Sequence, residues 1–187
     1  MIGALLEGIG QSLLPCSWIL LVPAIGIGVA LPGVRVMAAM FSASLGFAWL
    51  AVSGWWVLPL PLSGLLIVVG AVLWWYRDLD IWSAALIGAG AAAAWQPCVG
   101  PELGAVLNLA QTDPLAAAPG LAAFILGVSA VGLGIGWAIG HFLPGRFYNP
   151  TVRAVTVVIG ATGVSMIVGL YPALSSALAG WSYALWA

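Results

Sequence analysis

The sequence predicts an all-α integral membrane protein whose six transmembrane helices form two inverted three-helix repeats. Of its 187 residues, 64% are hydrophobic and only 5% are charged, whereas a soluble domain is about one-quarter charged. The apolar residues fall into six runs near the roughly 20 residues that cross a bilayer, and each half of the chain contains one Pro-Cys pair. The formal net charge of -1 argues against nucleic acid as a partner.

Each predicted span is an apolar run that ends at a proline, a glycine or a charged side chain. The chain forms a single transmembrane domain, with repeat one over about 1–77, repeat two over about 81–172 and an aromatic interfacial tail over 173–187. The spans are predicted at about residues 2–30, 34–57, 62–76, 81–111, 115–141 and 152–171.

The first and fourth spans are expected to be broken helices. Proline lacks a backbone N–H and clashes with the preceding helical turn, so a helix opens where it occurs. The breaks are predicted near Pro15 and Pro23 in span 1, and near Pro97 and Pro101 in span 4. At membrane depth, such irregular backbone is tolerated only when it is buried in protein or lines a wet cavity.

The arginines predict the orientation in the membrane. Arg35 lies in loop 1, Arg77 in loop 3, and Arg146 and Arg153 in a loop that begins at Pro144. Cytoplasmic loops carry an excess of Lys and Arg. We therefore expect a multi-pass protein of the cell (inner) membrane with loops 1, 3 and 5 in the cytoplasm and both termini outside.

Similar short segments recur in the two halves. Pro15-Cys16 matches Pro97-Cys98, and Val69-Gly70-Ala71 matches Ile159-Gly160-Ala161. An odd number of spans per repeat inserts the second copy upside down. Inverted repeats with broken helices are typical of transporters whose working site lies near the bilayer midplane.

Cys16 and Cys98 are the chain's two cysteines and its candidate catalytic residues. A thiol at a helix break can be reached by the thiol of a partner protein, and electrons then pass through a mixed disulfide. The alternative is a pair of small, buried and inert cysteines. The shared Pro-Cys context in both halves favours a redox pair.

Other residues near Cys98 are candidates for supporting roles. Glu102 follows it by one helical turn, and an ionisable residue inside a membrane is a functional candidate. A carboxylate there could tune the thiol pKa. Gly100 and Gly104 would let another helix approach Cys98. One His and two Cys make no convincing metal site, so no metal is expected.

Span 5 contains three glycines at helical spacing. Gly132, Gly136 and Gly140 are each separated by four positions, a small-residue pattern that brings membrane helices close together. The pattern predicts close packing or sliding of span 5 against a neighbouring helix.

The segment Gln96-Pro97-Cys98-Val99-Gly100-Pro101-Glu102-Leu103-Gly104-Ala105 resembles the second cysteine motif of the CcdA family. These are small membrane proteins of cytochrome c biogenesis, related to the membrane domain of DsbD. Leu14-Pro15-Cys16 with Pro23 resembles the first motif more loosely. The chain departs from the family pattern at Ile19, where a proline is usual, and at Glu102, where an apolar residue is usual.

The resemblance implies a membrane thiol-disulfide oxidoreductase that works without a cofactor. Such proteins accept electrons from cytoplasmic thioredoxin and deliver them to extracytoplasmic thioredoxin-like proteins, for uses such as cytochrome c maturation. Cys16 and Cys98 would cycle between dithiol and disulfide. Two other readings stay open. One is a soft-metal or small-solute permease with cysteine ligands, and the other is a structural subunit with a static disulfide.

Overall fold

The computed structural model is helical throughout the part of the chain that it describes. The described residues are 2–12, 17–31, 33–54, 58–95, 101–143 and 145–177. A short helical stretch also covers residues 171–177. The main helices are α1 (Ile2–Gln11), α2 (Trp18–Val29), α3 (Val34–Val52), α4 (Leu60–Arg77), α5 (Ile81–Ala93), α6 (Pro101–Thr112), α7 (Pro114–Phe142) and α8 (Gly145–Ile167).

Four of these helices are long and apolar enough to cross a membrane. They are α3, α4, α7 and the Phe147–Ile167 part of α8. The prediction of an all-helical membrane protein is therefore confirmed at this level. The helices α2 and α5 are apolar but have only 12 and 13 residues. At 1.5 Å per residue they extend about 18–20 Å, which is short of the roughly 30 Å hydrocarbon layer.

The short helices lie where the sequence predicts broken spans. Span 1 is divided into α1 and α2, and span 4 is divided into α5 and α6. Pro101 is the first residue of α6, a position where the missing N–H costs nothing. The remaining residues of the predicted breaks lie outside the described residues: Pro15, Cys16, Pro97, Cys98 and Gly100.

The second break predicted in span 1 is wrong. Pro23 lies inside α2, which is continuous from Trp18 to Val29. Proline removes only the one N–H that would bond to the Ile19 carbonyl, in the second turn of the helix. Pro23 is buried. The packing of α2 against α7 stabilises the helix on both sides of this proline.

The loop predicted from Pro144 to Arg153 is also wrong, because α8 begins at Gly145 and contains Pro150. A tertiary contact stabilises the helix although proline and glycine locally favour a loop. The Tyr148 hydroxyl donates to the Ala30 carbonyl at 2.9 Å and ties the start of α8 to the end of α2. One turn later, Thr151 Oγ1 donates to the Phe147 carbonyl at 2.7 Å.

Helices from the two halves of the sequence pack mainly on each other. The helices α1 and α2 pack on α7, while α5 packs on α3 and α4. The helices α4 and α8 also pack together. A Cβ at Gly160 would lie 3.6 Å from Ala71 Cβ, so the two recurring tripeptides of the sequence meet at this contact.

The described arginine side chains lie at one end of the bundle. Arg153 of α8 lies over the Trp75 ring at 5.5 Å from its centroid, next to Arg77 at the end of α4. The Tyr148–Ala30 hydrogen bond brings the start of α8 to the connection that precedes Arg35.

Asp80 caps α5 in the polar connection after α4. Its carboxylate accepts from the Ser83 N–H at 2.7 Å, and its own N–H donates to Ser83 Oγ at 3.0 Å. This reciprocal pattern is a capping box, which satisfies two otherwise free donors at the helix end. The hydrogen bond from the Ser83 N–H is the main cause that lowers the pKa of Asp80 below its ordinary value of 3.8.

We expect Asp80→Ala to lower the free energy of unfolding by about 1 kcal/mol, the usual cost of losing a cap. A lowered pKa in the folded state means that the charged cap stabilises the protein above the unfolded-state pKa. That stability disappears as pH falls through the folded-state pKa. The difference between wild type and Asp80→Ala, measured as thermal unfolding midpoints, should therefore shrink from pH 7 to below pH 3.8. A difference that is constant over this range would contradict the assignment.

Candidate functional site

The residues that flank both cysteine segments meet around Phe124 of α7. Gly8 of α1 lies against the Phe124 backbone carbonyl, where a Cβ on the glycine would collide with it. Trp95, which follows α5, stacks on the Phe124 ring with 5.4 Å between centroids. Phe124 is 0% exposed. Thus the segment that precedes Cys16 contacts the backbone of Phe124, and the segment that precedes Cys98 contacts its ring.

Glu7 links α1 to the N-terminus of α6 at this cluster. Its Oε2 accepts from the Leu103 backbone N–H at 2.9 Å, and its Oε1 accepts from Gln11 Nε2 at 2.6 Å. The first N–H groups of a helix have no partner within the helix, and negative charge is favourable beside them. A single carboxylate thus joins the helix that precedes the Cys16 segment to the helix that follows the Cys98 segment.

Glu102 and Gly104 lie in the first turn of α6. The Glu102 side chain is exposed, and a Cβ at Gly3 would lie 2.7 Å from its Cδ. The carboxyl group therefore lies against α1 beside Gly3. Gly104 is half-buried. Thiol tuning by Glu102 and the approach of a helix to Gly100 and Gly104 stay predictions.

Two buried polar atoms next to the cysteine segments have no hydrogen-bond partner among the described residues. They are Gln11 Oε1 and Trp95 Nε1. Each lies a few residues before a Pro-Cys pair. Because an unpartnered buried polar atom costs about 1–3 kcal/mol, such atoms are rare in folded proteins.

The close packing predicted for the glycines of span 5 is confirmed. A Cβ at Gly132 would lie 2.6 Å from Ala24 Cβ, and one at Gly140 would lie 2.5 Å from the Val29 carbonyl oxygen. Gly136 lies directly against the Ile25 carbonyl. The face of α7 that bears these glycines therefore lies close to α2, with backbone contacts at Gly136 and Gly140 and the small Ala24 side chain at Gly132.

A cavity of about 310 Å³ begins at Trp18, two residues after Cys16, and lies between α2, α4 and α8. Three of its hydroxyls donate to carbonyls of their own segments: Thr162 to Val158, Ser165 to Thr162 and Ser175 to Pro172. The wall is otherwise largely hydrocarbon. Its described lining residues are Trp18, Ile19, Val22, Pro23, Ile67, Val158, Ile159, Ala161, Thr162, Ser165, Tyr171, Leu174 and Ser175.

The described part of the chain contains no group of three or more His, Cys, Asp or Glu that could hold a metal ion. The site around Phe124 instead combines two carboxylates, one amide and a tryptophan. Sequence reasoning missed Glu7, Trp95 and Phe124. The signal for Glu7 was present, because an acidic residue within an apolar run is a functional candidate.

Comparison with known proteins identifies no relative: no protein-family model, no curated protein and no solved structure matches the chain. Its function has to be inferred from its own residues. The residues available for this are the two Pro-Cys pairs of the sequence and the cluster that adjoins both of them.

Proposed function

We propose that the protein is a thiol-disulfide electron transporter. It moves reducing equivalents from cytoplasmic thioredoxin across the membrane to extracytoplasmic thioredoxin-like proteins. The observation that carries this proposal is the convergence at Phe124: Gly8 and Trp95 precede the two Pro-Cys segments, and both contact this one buried residue. Two thiols form a disulfide only if they come within bonding distance. The contact of both preceding segments with Phe124 favours such an approach.

The packing of the helices supports the inverted-repeat arrangement that the proposal uses. The first span packs on α7, which belongs to the second half, and α5 packs on α3, which belongs to the first. The third helices of the two halves, α4 and α8, pack on each other. Packing of each half on the other is expected of two three-span repeats that are related by an axis in the membrane plane.

The chemistry consists of two thiol-disulfide exchanges on each side of the membrane. A thioredoxin thiolate attacks one sulfur of the Cys16–Cys98 disulfide, forms a mixed disulfide and releases the other cysteine as a thiolate. The second thioredoxin thiol, as a thiolate, then attacks the thioredoxin sulfur of the mixed disulfide. This forms the disulfide of oxidised thioredoxin and releases the remaining cysteine of the protein as a thiolate. Two electrons have now moved to the protein, whose cysteines become a dithiol on taking up protons.

The same two steps in reverse reduce a disulfide outside. The cytosol is held reducing and the bacterial periplasm oxidising, and this difference sets the direction of flow. The end containing Arg35, Arg77 and Arg153 is assigned to the cytoplasm by the positive-inside rule, so thioredoxin docks there. Delivery outside serves cytochrome c maturation, and the two faces are reached by alternating rearrangement of the repeats.

Trapping of a mixed disulfide tests the proposal. Thioredoxin that lacks its resolving cysteine, with its remaining thiol activated as a mixed disulfide with thionitrobenzoate, is incubated with the Cys16→Ser and Cys98→Ser variants, whose thiolate displaces thionitrobenzoate. We expect a reducible covalent adduct with one of the two variants. Neither protein has a second thiol that could break the mixed disulfide once it has formed. Non-reducing gels followed by mass spectrometry identify the linked cysteine.

The Cys16→Ser/Cys98→Ser double variant is the control and must form no adduct. If neither single variant forms one, and both cysteines instead bind Hg(II) or Cu(I) in the wild type, then the soft-metal permease is the better description. A Cys16–Cys98 disulfide that resists mild reductant would favour the structural subunit.

A further inference from the structure

We propose that Glu7 is the positioning residue that holds the start of α6, the helix that follows Cys98 in the sequence, against α1. The inference rests on the proposed function, because the position of Cys98 matters for activity only if Cys98 takes part in thiol-disulfide exchange. Its structural basis is the hydrogen bond between Glu7 Oε2 and the Leu103 N–H at 2.9 Å, which joins residues 96 positions apart.

The α6 N-terminus requires such a partner. Pro101 occupies the first position and has no N–H, so it offers no donor there. Leu103 is 0% exposed, and water cannot satisfy its N–H. A buried N–H without a partner costs about 1–3 kcal/mol. Glu7 supplies the acceptor from a different helix, since the chain before Pro101 contains no acidic side chain nearer than Asp80.

Glu7 is itself held in place from two directions. Gln11, one turn further along α1, donates to its other oxygen at 2.6 Å. On the adjacent turn, Gly8 fixes α1 against Phe124, and a Cβ at Gly127 of α7 would lie 2.5 Å from the Leu5 carbonyl. The carboxylate therefore projects from a helix that is packed backbone to backbone on α7. Its position determines where α6 begins.

The neighbouring carboxylate does not share this role. Glu102 is exposed and makes no hydrogen bond to another described residue, although its side chain rests at Gly3. Asp113 does cap a helix, because its Oδ1 accepts from the Ala116 N–H at 3.1 Å. That cap lies at the start of α7 and joins neighbouring residues only. Among these acidic residues, Glu7 alone bridges the two halves of the described chain.

Amide hydrogen exchange and thiol alkylation test the proposal on the full-length protein in lipid nanodiscs. We expect Glu7→Ala to accelerate exchange at the Leu103 amide about tenfold, the factor that corresponds to losing one hydrogen bond to a charged group. In the Cys16→Ser background, alkylation of Cys98 by a maleimide should accelerate by a similar factor. Glu7→Gln keeps an acceptor oxygen and should restore both rates to about wild-type values.

Glu7→Asp keeps the charge but is one methylene shorter, so it should behave as Glu7→Ala does; it serves if Glu7→Ala does not fold. Asp113→Ala is the matched control and should leave both rates unchanged. The proposal is overturned if both shortened variants keep the wild-type rates, or if Asp113→Ala accelerates them equally. Neither readout involves thioredoxin. If these rates change as expected but thioredoxin forms no adduct, the proposed function fails while the role of Glu7 stands.

Discussion

Proteoliposomes that contain either Cys16→Ser or Cys98→Ser will transfer electrons to an enclosed disulfide acceptor no faster than protein-free vesicles. In the proposed mechanism a lone cysteine accepts a partner as a mixed disulfide but has no second thiol to release it. Each substitution alone therefore removes the whole activity. The measurement is reduction of a thioredoxin-like acceptor inside the vesicles, with thioredoxin kept reduced outside.

The double variant should be no worse than either single variant, because residues that act as one unit are strongly non-additive. Ser17→Ala is the matched control, since it alters the buried side chain beside Cys16 and leaves both thiols. Substantial transfer by either single-cysteine variant would show that the pair does not carry the electrons. Uptake of Hg(II) or Cu(I) by the same vesicles, lost in both variants, would identify the permease instead.

Gly136→Leu will destabilise the bundle far more than Gly134→Leu. Gly136 lies against the Ile25 carbonyl, and a Cβ there would also lie 2.9 Å from the Gly28 Cα. A side chain at this position must push α2 away from α7. Overpacking of this kind costs about 3 kcal/mol, and it also opens the neighbouring contacts of α2. The thermal unfolding midpoint in detergent measures the loss.

The control lies two residues away on the same helix. Gly134 is exposed, and a Cβ there meets nothing within 4 Å. Both substitutions remove a glycine from the interior of α7, so their effects on helix propensity are matched. Equal unfolding midpoints for the two variants would contradict the close contact between α7 and α2 at Gly136 and Ile25.

The sequence predicts the class of this fold well because hydropathy and helix length are local properties. The apolar runs locate α3, α4 and α7 to within a few residues, and α1 and α5 end a few residues before Pro15 and Pro97. The break predicted at Pro23 is wrong, and so is the loop predicted to reach Arg153, where Pro150 lies within α8, because a local rule about proline ignores tertiary contact. Both prolines lie within helices whose packing compensates for the missing N–H.

The site was only partly predictable for the same reason. Cys16 and Cys98 stand out by their shared context, but nothing in the sequence pairs Glu7 with Leu103 across 96 positions. The burial of Phe124 between Gly8 and Trp95 is likewise a product of three helices meeting. Sequence patterns identify residues that are unusual for their surroundings, whereas contacts between distant segments depend on the completed fold.

The glycine face of α7 has a consequence for how the protein is made. Leu5, Ile25 and Val29 rest their backbones on glycines that are synthesised about a hundred residues later. Until the ribosome has synthesised α7, α1 and α2 lie in the bilayer, or beside the insertion machinery, without the glycine face on which they pack. Assembly of the first half is thus completed only when the second half has been synthesised.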